Sequence, residues 1–294
     1  MNRTFTSGSA GEFDREWKDA LEHNKDQYLI YPTFESTRQQ DVFEWIKGNQ
    51  VQTYLKSQGI ISGRVLEYGC GAAGMSLYLA SFGYESYICD LSRAGLRIAE
   101  INQIRHAPAQ KFHSKVMADG RRLPYEDGYF DVVMSFGLLE HFEPEALDQL
   151  LKETIRILKP GGAFVADIIP GPERMNIRTI GLLISYFGSL MYHFFTLKWK
   201  RIPKLFRLYF ENFYETSYSA QEWENIIRKQ GIIDLQVAVC RPFPSLALPR
   251  RLESLYTNMI KRNLEFHLRF DRAQNRWTKR WGWMYLATCI KSGE

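Results

Sequence analysis

The stretch from Arg64 to Ser76, RVLEYGCGAAGMS, constrains this chain more than any other. An apolar pair, Val65 and Leu66, runs into Glu67 and then into Gly69-Cys70-Gly71-Ala72-Ala73-Gly74. Small and apolar residues at helical spacing follow. The pattern is that of a buried strand, a tight glycine turn and a helix that starts at once. Glycines in such a turn let a ligand approach the backbone where side chains would otherwise stand in the way. The loop cradles a ligand, and its neighbours must say which.

The sequence after the loop keeps alternating. Residues 85–90, ESYICD, read as a second short strand ending in an acid, and 91–105 as a helix with Leu96, Ile98, Ala99, Ile101 and Ile104 on its apolar face. Residues 111–117 make a weaker strand, followed by Ala118-Asp119-Gly120; 130–136, FDVVMSF, is a buried strand. A helix is expected over 144–158, a hard stop at Lys159-Pro160-Gly161-Gly162, and a further buried strand over 163–169. Such alternation forces a mostly parallel sheet with helices on both faces, an α/β fold. The rhythm then breaks. A helix over 219–231 and a strand over 232–240 precede a last strand, 282–290, with no helix crossing over to it, so that strand is expected to be antiparallel.

Before the first strand, residues 1–55 carry helical patterning. Phe13, Trp17 and Leu21 share a face, as do Val42, Phe43, Trp45 and Ile46, while Pro32 bars the apolar piece Tyr28–Tyr31 from continuing as helix. Such a segment either lies over the mouth of a nucleotide site or covers a sheet face. Two insertions interrupt the second half of the chain. In the first, 171–218, residues 179–197 hold no formal charge; the second, 241–281, contains an amphipathic helix with Leu252, Leu255, Tyr256, Met259 and Ile260 on one face.

Charge is divided unevenly. Residues 190–294 hold 18 Lys/Arg against 9 Asp/Glu, and residues 1–189 hold 20 against 24. The basic half is also rich in aromatics, which suits an anionic substrate, a membrane surface or nucleic acid. Cys70, Cys89, Cys240 and Cys289 are too scattered for local metal-ligand spacing, so no metal is expected and the four read as buried free thiols in a reducing compartment. The N-terminal residues lack the apolar run of a secretory signal, and a cytoplasmic protein is expected.

A glycine loop and the strand-tip acid Asp90 serve several nucleotide cofactors alike. Three features discriminate. Glu67 stands two residues before Gly69, where a pyrophosphate would be repelled, so a cationic ligand suits the loop. Asp119-Gly120 follows the third strand, where an acid can accept from the adenine amino group. The antiparallel last strand is foreign to dinucleotide folds.

With these residues in view, the chain resembles the class I S-adenosylmethionine-dependent methyltransferases, in motif style those acting on small molecules and lipids. The matching segments are LEYGCGAAG (66–74), YICD (87–90), ADG (118–120), LPYEDGYFDVVMSFGLLEHF (123–142) and LKPGG (158–162). The resemblance implies a doubly wound seven-stranded sheet, order 3-2-1-4-5-7-6 with strand 7 antiparallel. It implies a single methyltransferase domain over 1–294, with 56–170 as the cofactor-binding half and 219–294 as the C-terminal half. It also implies S-adenosyl-L-methionine as methyl donor and S-adenosyl-L-homocysteine as product. Carried over residue by residue, Glu67, Gly69, Gly71 and Gly74 would line the methionine part, Asp90 would hold the ribose, and Leu91 would pack on adenine. Asp119 and Gly120 would meet the adenine amino group, and Phe136 and Gly137 would close the floor near the sulfonium.

A sulfonium donor is already activated, so the protein has mainly to align the reacting atoms and exclude water; a base is needed only where the acceptor must lose a proton. His141, after Glu140 near the tip of the fourth strand, is the expected base. Tyr28 and Tyr31, from the N-terminal segment, and Arg174 and Arg178, after the fifth strand, are the expected substrate-side residues. The uncharged run 179–197 cannot cross a bilayer once, because that would split one sheet across two compartments; it is expected to be a lid or interfacial helix over an apolar acceptor. The reading at this point is methyl transfer to a small or lipid-like acceptor, at oxygen, with peripheral membrane contact. RNA or protein methylation, or a non-catalytic binding module, stand as alternatives. Nucleic acid is disfavoured because no recognised RNA-binding appendage is visible, and oligomeric state is left open.

Overall fold

A computed structural model describes residues 7–23, 26–170, 175–203, 205, 218–230 and 232–293. Among the described residues, seven strands form one sheet in the order β3-β2-β1-β4-β5-β7-β6. They are β1 (Gly63–Tyr68), β2 (Tyr84–Asp90), β3 (Phe112–Met117), β4 (Phe130–Phe136), β5 (Leu158–Ile168), β6 (Ile232–Cys240) and β7 (Met284–Lys291). The first five are parallel neighbours, and β7 runs antiparallel between β5 and β6. Fold class, strand order and the reversed last strand are as the sequence implied.

The continuous apolar runs of β4 and β5 follow from burial on both faces. Successive side chains point to opposite sides of the sheet. Leu66, Val133 and Phe164 therefore pack with Leu147, Leu150 and Leu151 of helix α5 (Pro144–Ile157) and with Trp223 of α7 (Ala220–Arg228). Their neighbours Val65, Val132 and Val165 pack on the other side with Val51 and Leu55 of α2 (Gln39–Ser57) and Met75 and Leu79 of α3 (Gly74–Ala80). The N-terminal segment adds α1 (Ser7–Glu22), which reaches α4 (Arg93–His106) through a hydrogen bond from Ser92 Oγ to Asp14 Oδ1, 2.7 Å.

Two expectations need correction. Lys159-Pro160-Gly161-Gly162 does end α5, but the strand begins at once at Leu158 rather than after a turn. Leu158 pairs with Phe130 and the register then shifts, with Gly161 at φ +76°, so the segment is a bulged strand start; a bulge is where a strand accommodates proline and a left-handed glycine. The insertion 241–281 holds three helices, α8 (Arg250–Arg262), α9 (Leu264–Ala273) and α10 (Arg276–Trp281), and the first is rotated from its expected packing. Ile260, Tyr256 and Met259 pack against Val42, Phe43 and Ile46, whereas Leu252 and Leu255 are exposed. Polar contacts set that rotation: Glu253 accepts from the Gln39 backbone N–H at 3.2 Å, and the Tyr256 hydroxyl donates to the Pro244 carbonyl at 2.8 Å.

Chemical denaturation checks the rotation. Ile260→Ala should lower stability by roughly 2–4 kcal/mol, the usual cost of emptying a buried aliphatic site. Leu255→Ala, on the exposed side, should change it by less than about 0.5 kcal/mol. Equal losses would contradict the packing described.

Candidate active site

The strand order reverses between β1 and β4, and there the C-terminal strand ends diverge to leave a crevice. A cavity of about 510 Å³ occupies it, a size suited to a small molecule. Its walls come from the glycine loop, the tips of β2, β4 and β5, and the N-terminal helices.

The glycine loop is held in a shape that side chains would break. Gly69 and Gly71 have φ of +62° and +47°, and Ala73 follows at +53°, in the left-handed region. A Cβ at Gly69 would stand 2.5 Å from Leu138, one at Gly71 2.7 Å from the Trp17 ring, and one at Gly74 2.4 Å from the Ile30 carbonyl oxygen. The glycines thus admit the N-terminal segment and the loop after β4 as close neighbours, as well as leaving the cavity open.

Glu67 ends β1 with its carboxylate buried in the cavity wall. Ser76 donates its backbone N–H to Oε2 at 2.8 Å. Burial pushes the Glu67 acid up to about 7, against the lowering effect of the Ser76 contacts and of Lys47 nearby. A buried acid held this high is a receptor for a cation. Asp90 ends β2, accepting from the Gly71 N–H on one oxygen (2.9 Å) and the Ser92 N–H on the other (2.8 Å), which ties the glycine loop to the second strand. Burial raises its acid above the ordinary carboxylate range despite these bonds. Leu91, 52% exposed, and Gly120 line the same region. Asp119 lines it too, but Arg121 pairs with its carboxylate (Nη2 to Oδ2 2.6 Å) and holds the acid below its usual value.

At the other end of the cavity is a cluster that the sequence reading missed. Lys47 on α2 is buried, with Nζ 2.6 Å from both Asp167 Oδ2 and Glu44 Oε2 and 4.5 Å from the centre of the Phe136 ring. Burial works against its charge, but the two carboxylates outweigh that and hold the lysine above its ordinary value. Asp167, at the end of β5, accepts the Gly137 N–H at 2.5 Å, and Gln40 donates to Glu44 Oε1 at 3.2 Å. Gln40, Glu44, Lys47, Phe136, Gly137, Asp167 and Ile169 all face the cavity. The signal was present as a polar stripe at 40, 44 and 47 on a helix otherwise apolar, and as a lone acid inside the run FVADII.

Of the expected site residues, Glu67, Gly69, Gly71, Gly74, Asp90, Leu91, Asp119, Gly120, Phe136, Gly137 and Tyr28 are brought to this one cavity. Three described residues are not. His141 is buried in a single 3-10 turn (Leu139–His141) whose neighbours Leu138 and Phe142 line the cavity while it does not. Tyr31 stacks on His106, with ring centres 5.9 Å apart. Arg178 donates to the Pro170 carbonyl, which turns it back onto the end of β5. Arg174 lies outside the described residues.

Comparison with known proteins agrees with this geometry. Residues 66–166 match the family model described as methyltransferase domain. Those are the residues that supply Glu67, the glycine loop, Asp90, Asp119, Phe136 and Gly137. They form a class I, S-adenosylmethionine-dependent methyltransferase domain.

Curated relatives of the domain include tocopherol O-methyltransferase of Arabidopsis thaliana, 37% identical over 35% of this chain and 29% of that protein. A phthiotriol/phenolphthiotriol dimycocerosates methyltransferase of Mycobacterium ulcerans is 38% identical over 37% of this chain and 39% of its own length. Sterol 4-C-methyltransferase of Caenorhabditis elegans is 26% identical over 47% and 40%. The chain spans less than half the length of each of these relatives. The fold extends further than the sequence match. A Burkholderia thailandensis 1,6-didemethyltoxoflavin-N1-methyltransferase, solved with S-adenosylhomocysteine, superimposes with TM-score 0.52 at 12% identity over 99% of this chain and 92% of its own.

The methyltransferase cavity makes a pH prediction. A bound ammonium favours ionised Glu67, and this acid titrates near 7 in the free protein, so donor binding below that pH expels a proton. Affinity for S-adenosylmethionine should rise roughly five- to tenfold between about pH 6 and 7.5. Glu67→Gln should weaken binding and flatten that slope, as titration calorimetry in buffers of different protonation enthalpy would show. In the free protein the sign is opposite. A folded acid raised above its unfolded value loses stability as pH rises from 4.5 through about 7, so Glu67→Gln should gain stability at alkaline pH, on the order of 3 kcal/mol at most.

Proposed function

We propose that the chain works as one methyltransferase unit that transfers the methyl group of S-adenosylmethionine to an oxygen of a small, lipid-like acceptor. The observation that carries this reading is the pairing, across one cavity, of the buried carboxylates Glu67 and Asp90 with the separate cluster Glu44–Lys47–Asp167. The first pair suits the donor. Glu67 would take the methionine ammonium, Asp90 the ribose hydroxyls, Leu91 the adenine face, and Asp119 the adenine amino group by exchanging part of its contact with Arg121. Bound there, the donor supplies a methyl group already activated by its positive sulfur.

The second cluster is left for the acceptor. Phe136, Leu138, Phe142 and Ile169 give that end an apolar lining, and Glu44 is its carboxylate with an oxygen not committed to Lys47. In this reading Glu44 accepts the proton of the acceptor hydroxyl as the oxygen takes up the methyl group, by in-line displacement at carbon. Lys47 keeps Glu44 and Asp167 in place and is itself held charged, so it does not compete as a base. The base role that the sequence suggested for His141 passes to Glu44 because only Glu44 faces the cavity. Support for a lipid-like acceptor comes from the relatives, whose names specify tocopherol, phthiotriol and sterol acceptors, the first methylated at oxygen and the last at carbon. The enzyme would then be cytoplasmic and meet its acceptor at a membrane.

Transfer of labelled methyl from S-adenosylmethionine to a panel of hydroxylated lipids tests the reading. Asp90→Ala should abolish donor binding in calorimetry. Glu44→Gln should leave donor affinity within about twofold and lower kcat by roughly 10²-fold or more, the usual weight of a general base. Transfer to carbon alone, or Glu44→Gln at full kcat, would overturn the assignment of oxygen and of the base.

A further inference from the structure

The helix α6 (Ile177–Phe195) is amphipathic in the wrong sense for a helix facing water. Its buried side is small or polar. Thr179, Gly181 and Ser185 are the buried positions, with Asn176 capping the start by accepting the Thr179 N–H at 3.0 Å. A Cβ at Gly181 would stand 2.6 Å from Pro244, and Ser185 Oγ accepts the Ala247 N–H at 3.1 Å. The large apolar residues are on the outside. Ile184, Phe187, Met191, Tyr192, Phe194 and Phe195 are exposed, the last at 77%, and the chain continues into exposed Leu197 (77%) and Trp199 (56%). Scattered exposed leucines need no explanation, but a contiguous run of this size on one element marks a surface that meets something apolar.

Charge and topology say what. Exposed Lys198 and Lys200 alternate with Leu197 and Trp199 at the far end of the helix. At its near end Lys279 and Arg280 line, with Met175 and Asn176, a cleft of about 250 Å³. Apolar and aromatic side chains flanked by cations at both ends match an acyl boundary edged by anionic headgroups. A crossing of the bilayer is ruled out by the sheet itself. The helix leaves β5, and the chain returns as β6 and β7, of which β7 pairs with β5 over Ala163–Ile168, so both ends of α6 stand on the same side. None of the described helices is long and apolar enough to cross a membrane.

We infer that the outer half of α6, with Leu197 and Trp199, lies in the interface of an anionic lipid membrane and holds the protein there. The inference deepens the lipid-acceptor reading and rests on it for its purpose, but its evidence lies on a different surface. The link between the two is short. Ile177, at the root of α6, packs against the same core cluster as Phe136 and Ile169, which line the acceptor end of the cavity. Docking by this helix brings that end to the lipid.

The test is co-flotation of the full chain with vesicles of phosphatidylcholine alone and of phosphatidylcholine mixed with phosphatidylglycerol, with S-adenosylmethionine calorimetry run in parallel. The wild type should partition onto the mixed vesicles at least about tenfold better than onto the neutral ones, and added salt should weaken this. The combined change Phe187→Ser, Phe195→Ser and Trp199→Ser should lower partitioning at least about tenfold, and Lys198→Glu with Lys200→Glu should remove the preference for anionic lipid. Both variants should bind S-adenosylmethionine as the wild type does, since none of these residues lines the cavity; this excludes misfolding. Absence of wild-type partitioning would overturn the proposal, as would partitioning indifferent to the triple change. So would a stable dimer in solution that the triple change dissociates, because the patch would then be a subunit interface. Vesicle binding without donor binding would instead sink the methyltransferase reading and leave the membrane surface standing.

Discussion

The buried contact of Lys47 with Asp167 and Glu44 is the joint on which the site depends. It ties α2, which belongs to the N-terminal segment, to the end of β5, and through the Gly137 N–H on Asp167 to the turn after β4. A buried ion pair of this kind brings little net stability, since desolvating the charges offsets most of their attraction. Its effect is positional. Removing one partner would leave an uncompensated charge inside the protein, so the three elements are held to one arrangement, with α2 forming a wall of the cavity. Trp17 and Tyr28, packed edge to face at 5.5 Å, extend that wall over the glycine loop.

Against that fixed wall the donor end is left short of positive charge. Glu67 has no cation within ion-pair distance among the described residues, and Asp90 is satisfied only by backbone N–H groups. The raised acidity constants of both carry the same message, that burial has been accepted without a permanent counter-ion. Structural acids are usually paired, as Asp119 is with Arg121 here. An acid kept unpaired in a cleft is available to a ligand, and a cationic donor would restore the balance.

Much of this was legible in the sequence because it is carried by short-range pattern. The strand–glycine–helix unit at 64–76, the acids closing β2 and following β3, and the apolar runs of β4 and β5 are local features that burial and backbone geometry dictate. What was not legible depends on long-range placement. Nothing near Lys47 in sequence announces Asp167, 120 residues away. His141 follows a site strand directly, yet a single 3-10 turn puts its neighbours on the wall instead. Leu252 and Leu255 share a stripe with Ile260, but two hydrogen bonds outside that stripe choose which part of it is buried. Periodicity marks an apolar face. It does not say whether the partner is the protein's own core or something outside, and α6 shows the second case.

The charge layout also bears on turnover. Methyl transfer removes the positive charge on sulfur, so the donor enters with one more cationic centre than the product that must leave. A cavity walled by Glu67, Asp90, Glu44 and Asp167 against the single buried lysine attracts the charged donor more strongly than the neutral thioether. The interaction retained by both is that of the methionine ammonium with Glu67, which gives the product a foothold without the second attraction. If the acceptor proton passes to Glu44, that carboxylate is neutralised in the same step, and the acceptor end loses a negative charge as the donor end loses a positive one. The two changes offset each other across the cavity. The low-dielectric interior is then spared a net charge at the moment of transfer, which is where an unbalanced charge would cost most.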